Sequence, residues 1–161
     1  MEESTQGAAR SEPPLGMYPG RLDDKGRLKL PAEFHKFLSG LPDKRLFVTS
    51  LDRRIASIYP IAVWKQNEEF FEEYTEDPTK AENVAFTAAD LGAEAEVDPQ
   101  GRLQFPAKLR RDLELENQPV HLYAYKSAIR VLSDAIYQAR RTAAMQSPEA
   151  DAKELQKKGL K

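Results

Sequence analysis

Apolar and polar residues along the chain form a series of patterns that occurs twice. From position 27 the pattern alternates, with Leu28 and Leu30 on one side and Arg27 and Lys29 on the other, as in a half-buried strand. Pro31 suits the first turn of a short helix that turns Phe34, Phe37 and Leu38 inward, and Gly40 stops it. Two β runs follow at 46–51 and 55–59, then a helix from near Pro60 with a stripe of Trp64, Phe70, Phe71 and Tyr74. In the second series Leu103 and Phe105 alternate, and Pro106 opens a short helix with Leu109 and Leu113 inward. Its β runs cover 120–125 and 129–132, and its closing helix starts at Ser133 with Ile136, Tyr137 and Ala143. One further helix, from Asp77-Pro78 to near Gly92, has no counterpart.

The letters repeat as well as the pattern. Residues 22–32 align with 97–107 at an offset of 75, with six identities in eleven positions. These are Asp23/Asp98, Gly26/Gly101, Arg27/Arg102, Leu28/Leu103, Pro31/Pro106 and Ala32/Ala107. Each copy opens as a turn, because Asp can bond the backbone two residues on and Gly permits positive φ. An internal repeat of this kind reads as a duplicated half-domain. The expected organisation is an N-terminal disordered tail (1–16), a first half-domain (17–66), an acidic helical connection (67–92), a second half-domain (93–146) and a flexible C-terminal tail (147–161). Ser147-Pro148-Glu149 offers a cap for a marginal helix in that last segment.

Composition narrows the chemistry. The 161 residues include two His and no Cys, which excludes thiolate metal sites, disulfides and a cysteine nucleophile. No stretch approaches the ~20 apolar residues of a membrane span, and residues 1–5 lack the pattern of a signal peptide. A cytoplasmic protein is expected, without a membrane partner. His35 and His121 show no metal spacing, and His121 reads as a packed core or edge residue of an apolar strand. The serines carry no elbow motif and no glycine-rich phosphate loop occurs. Glu68-Glu69 and Glu72-Glu73 read as the wet face of an amphipathic helix. No enzyme, cofactor, metal or small-molecule substrate is expected.

Charge is divided along the chain. Residues 66–97 hold ten acids and Lys80, net −9, against −2 for the whole chain, so the remainder carries +7. An acidic total therefore does not exclude nucleic acid. Around the first turn, residues 21–31 hold four cations and two acids; residues 98–111 hold four cations and one acid.

With its paired Asp-x-x-Gly-Arg turns, the Pro four residues beyond each Arg, and Ile58-Tyr59-Pro60 followed by Trp64, the chain resembles the MraZ family over roughly 17–145. The two halves of that family are each of the AbrB-like (SpoVT/AbrB) type. The resemblance implies an α+β fold with a mainly β core, in which two swapped-hairpin half-domains pair about a pseudo-two-fold axis with flanking helices. It implies ring-like homo-oligomers that bind double-stranded DNA at short repeats upstream of the division and cell-wall gene cluster. It also implies a cytoplasmic, nucleoid-associated regulator of transcription. Its Asp-x-x-x-Arg motif falls on Asp23–Arg27 and Asp98–Arg102, which makes Arg27 and Arg102 the expected DNA contacts. Arg offers a planar donor fork suited to phosphate or guanine, and a β-ribbon fits the major groove. The bland alternative is a local Asp–Arg ion pair on a surface turn.

Lys25, Lys29, Lys108 and Arg110 are further expected DNA contacts, neutralising phosphates. Asp23, Gly26, Asp98 and Gly101 are expected to shape the turns. The aromatic stripe reads as core, in part as subunit interface. Three departures from the family stand out: His35 where the second copy has Arg110, Pro99-Gln100 where the first has Asp24-Lys25, and an acidic middle helix. Two other readings fit less well, a ring-forming scaffold without DNA binding and an AbrB-like antitoxin.

Overall fold

Strands and helices alternate through the computed structural model, which describes residues 12–161. In chain order they are β1 (Tyr18–Arg21), β2 (Arg27–Lys29), α1 (Ala32–Ser39), β3 (Leu46–Ser50), β4 (Ala56–Pro60), α2 (Ile61–Glu73) and α3 (Pro78–Leu91). Then come β5 (Ala93–Ala95), β6 (Arg102–Gln104), α4 (Ala107–Asp112), β7 (Pro119–Tyr125), β8 (Ala128–Ser133), α5 (Asp134–Ala144) and α6 (Pro148–Lys157). Helix starts follow local chemistry. Pro31, Pro60 and Pro106 stand at the N-cap positions of α1, α2 and α4. Asp77 caps α3 by accepting from the Lys80 N–H, and Ser133 caps α5 by accepting from that of Ile136.

Six strands form one antiparallel sheet in the order β1-β7-β8-β4-β3-β5, and β2 and β6 form a separate two-stranded ribbon. Exchanging each strand with its counterpart in the other series reverses the six-stranded order onto itself. The strand that opens each series pairs with the other series: β1 with β7, and β5 with β3. In the ribbon Leu28 faces Leu103, and neither is exposed to solvent.

The sheet separates two layers. Val48, Ile58, Leu122, Ile129 and Val131 face the main core, which they share with Leu28, Leu103, Phe105, Phe34 and Leu109 from the ribbon and the short helices. The other face carries Phe47 and Tyr59 under Trp64 of α2, and Thr49, whose hydroxyl donates to the Ala88 carbonyl of α3 at 2.7 Å. The acidic segment therefore lies mainly on the helix layer, across the sheet from the ribbon.

The expected inward residues of the short helices, Phe34, Phe37, Leu38, Leu109 and Leu113, are all buried. Other expectations differ from the structure. Only Trp64 of the aromatic stripe is buried; Phe70 is 57% exposed, because α2 meets the sheet through its first turns alone. No residue of α5 is buried, and Ile136 and Tyr137 are half-covered. Strands β1 and β5 carry no pattern that announces them, being four and three residues long with Pro, Gly or Glu inside. Of the expected N-terminal tail, residues 1–11 lie outside the described residues, and 13–15 carry no helix or strand. The expected C-terminal tail carries α6, none of whose side chains is buried. Deleting residues 147–161 is therefore expected to change stability by less than about 0.5 kcal/mol. A larger shift in a denaturant titration would show that α6 packs on something.

Candidate nucleic-acid interface

The two turns are built from one set of bonds. In the first, the Asp23 carboxylate accepts from the backbone N–H groups of Lys25 and Arg27, both at 2.9 Å, and from Arg27 Nε at 2.8 Å. In the second, Asp98 accepts from Gln100 and Arg102 N–H and from Arg102 Nε, each at 2.9 Å. Gly26 N–H donates to the Asp23 carbonyl and Gly101 N–H to that of Asp98. The glycines have φ of +81° and +78°, the left-handed region where a side chain is strained. Each turn thus places Asp first, Gly fourth and Arg fifth, with the Asp and Gly fixing the backbone.

Both Asp carboxyls are held below the ordinary Asp range, first by the backbone N–H of the Arg and then by its side chain. A carboxyl that binds its proton less tightly when folded stabilises the fold above its unfolded pKa, and that contribution is lost as pH falls through the folded value. Melting temperature of the parent should therefore fall with acid below about pH 4, more steeply than that of Asp23→Asn/Asp98→Asn. Asp43, held at about 2 by Arg45, contributes to both proteins alike. Identical acid limbs in parent and variant would overturn this account of the turns.

Beyond the turns the ribbon presents one outward face. Leu28 and Leu103 point inward, so Arg27, Lys29, Arg102 and Gln104 share the other side. Lys29 stands opposite Arg102, and Arg27 opposite Gln104. Arg27 and Arg102 keep 27% and 31% of their side-chain area exposed. Each is anchored through Nε alone to its Asp. Among the described residues, neither Nη of Arg27 has a hydrogen-bond partner, while Nη2 of Arg102 reaches Gln100 Oε1 at 3.3 Å. The local ion pair and an outward donor pair coexist in this geometry.

The remaining expected contacts are placed unequally. Lys25 is exposed on the first turn, and Lys29 Nζ donates to the Gln100 carbonyl of the second. Lys108 and Arg110 do not join the ribbon face. Lys108 Nζ pairs with Asp90 Oδ1 of α3 at 2.8 Å, in a group with Arg53 and Asp112. Arg110 is 16% exposed and folds against Gly26, donating to the Phe105 carbonyl at 2.5 Å and to Glu116 at 3.2 Å. Both are engaged by acceptors of the protein itself. Gln104 belongs to the face and escaped the sequence reading; its place in the repeat, matching Lys29, was the available signal. Among the described residues no group of three or more His, Asp or Glu side chains could hold a metal ion.

No family model matches the chain. Individual proteins do. It is 31% identical over 105 residues to the transcriptional regulator MraZ of Acidobacterium capsulatum, covering 65% of this chain and 72% of that one. The transcriptional regulator MraZ of Koribacter versatilis gives 31% over 105 residues, 64% and 71% of the two chains. That of Natranaerobius thermophilus gives 35% over 108 residues, 66% and 71%. The chain belongs to the MraZ family. His35 occupies in the first series the place of Arg110 in the second. His35 and Arg110 sit under opposite turns, His35 against Gly101 and Arg110 against Gly26. His121, read as a packed core or edge residue, stacks on Tyr137 at 3.6 Å and reaches Asp134 Oδ1 at 3.0 Å.

Proposed function

We propose that this protein is a non-enzymatic, DNA-binding transcriptional regulator that reads short promoter repeats, upstream of the division and cell-wall gene cluster, with its β2–β6 ribbon. The observation that carries this reading is the outward face of the ribbon, where two arginines are fixed at Nε and the Nη groups of Arg27 have no partner among the described residues. A two-stranded ribbon fits the major groove, and an arginine fork recognises guanine O6 and N7 or phosphate oxygens. Lys25 and Lys29 add phosphate affinity without sequence information. Relatives named transcriptional regulators support the same reading. A gel shift with DNA upstream of its own gene against a shuffled sequence tests it. Equal binding to both, or binding to neither, removes the regulator reading.

The same proposal includes a ring of identical chains, since one ribbon offers few cations to DNA and adjacent copies add theirs through avidity. Support comes from an asymmetry between the two series. The outer face of β3 and β4 is covered by α2 and α3, whereas among the described residues α3 has no counterpart over β7 and β8, where Tyr123, Tyr125 and Arg130 remain partly open. Net charge of −9 over 66–97, with Phe70 and Phe86 exposed, complements that aromatic and basic face. Phe70 also borders an apolar groove of about 420 Å³ with Phe71, Tyr74 and Val84. Light scattering at micromolar concentration should return more than a dimer, and Phe70→Glu should reduce that mass. A single-chain mass for the parent would remove the ring.

A further inference from the structure

The hydrogen bonds that brace each turn from outside, among the described residues, come from the other series. Gly26 O accepts from Phe105 N–H at 3.0 Å, and Gly101 O accepts from Leu30 N–H at 2.9 Å. The Lys25 carbonyl accepts from Gln104 Nε2 at 2.9 Å, and the Gln100 carbonyl accepts from Lys29 Nζ. Under the glycines the exchange is repeated with different side chains. A Cβ on Gly26 would lie 2.1 Å from Arg110 Nη1, and one on Gly101 would lie 2.8 Å from His35 Nδ1. Residues 29/104, 30/105 and 35/110 are the same three positions of the 75-residue repeat.

We infer that Arg110 is the positioning residue of the Arg27 turn and His35 that of the Arg102 turn, each acting across the two halves and not on its own. The inference rests on the DNA-reading role proposed for those turns. Arg110 is suited to the task because both ends of its contact are fixed. Its Nη1 is tied to the Phe105 carbonyl, whose own N–H holds Gly26 O, and its Nε is tied to Glu116. The guanidinium plane then closes the space under Gly26 and blocks the turn from folding back. His35 is shorter and has no hydrogen-bonded side-chain partner among the described residues. A cavity of about 290 Å³ opens beside it, lined by Lys44, Glu96, Asp98 and Pro99. The space under the two glycines is therefore filled unequally: under Gly26 by a charged, doubly bonded side chain, under Gly101 by ring contact.

Amide-resolved hydrogen exchange on the full chain without DNA tests the bracing directly. In the parent, amides of Lys25, Gly26 and Arg27 should exchange more slowly than those of Gln100, Gly101 and Arg102. Arg110→Met keeps the aliphatic stem and should speed exchange in the first turn roughly tenfold while leaving the second as in the parent. His35→Ala should do the reverse. Glu116→Gln, which removes only the ion pair, should give a smaller increase confined to the first turn. Equal loosening of both turns, as partial unfolding would produce, overturns the inference; so does loosening of 100–102 alone by Arg110→Met, or no change. DNA affinity gives a second readout. Arg27→Ala/Arg110→Met should bind no more weakly than Arg27→Ala, whereas Arg102→Ala/Arg110→Met should lose the product of the two single losses. If Arg27→Ala itself binds DNA like the parent, the DNA-reading role fails while the exchange result still decides the bracing.

Discussion

The double variant Arg27→Ala/Arg102→Ala is expected to bind its promoter DNA roughly 30-fold to 2×10⁴-fold more weakly than the parent, given ~1–3 kcal/mol for each specific arginine contact. Its melting temperature should stay close to the parental value. Both side chains keep over a quarter of their area exposed, and solvent-screened Asp–Arg pairs of this kind add little to stability. The turns themselves survive, because each Asp still accepts from two backbone N–H groups. Lys25→Ala should behave differently, weakening binding to every sequence alike and lowering the salt slope by about one. The second turn has Gln100 in that place, so no equivalent variant exists there. Titrations against salt, with melting curves beside them, separate the outcomes. Parental DNA affinity in the double variant, or its unfolding, would make both arginines structural.

Phe105→Ala is expected to be the most damaging single truncation, at ~3–5 kcal/mol, a large part of the 5–15 kcal/mol that holds a typical domain. Phe105 has no solvent exposure, and it sits where ribbon, short helices and sheet meet. Its backbone binds Gly26 on one side and Arg110 on the other, so the cavity would open directly behind the first turn. Leu30, at the same place in the first series and 3% exposed, should cost ~2–5 kcal/mol when cut to Ala. Chemical denaturation at equilibrium measures both. A loss below about 1 kcal/mol for Phe105→Ala would mean that the layers close over the gap, contrary to the packing described.

Much of the site was legible in the chain because its chemistry is local. Asp23, Gly26 and Arg27 bond within five residues, so their spacing alone specifies the turn, and a second copy at 98–102 repeats the specification. Alternation after each turn was enough to separate Leu28 and Leu103 from the outward cations. The short helices were legible for the same reason, since Pro begins them and their apolar period is complete within two turns.

What only the tertiary structure decided concerns partners far apart in sequence. Strands β1 and β5 are too short to show a period, and which strand each joins depends on an edge that looks the same to any backbone. Arg110 and Lys108 read as DNA-contacting cations because a positive charge in sequence carries no record of what lies opposite it. Folding brings Gly26 to one and Asp90 to the other, across separations that no local pattern encodes. The turn is thus determined by five consecutive residues, and its support by residues some eighty positions away, because hydrogen bonds within a turn need only the chain's own geometry, whereas packing beneath it needs the whole fold in place.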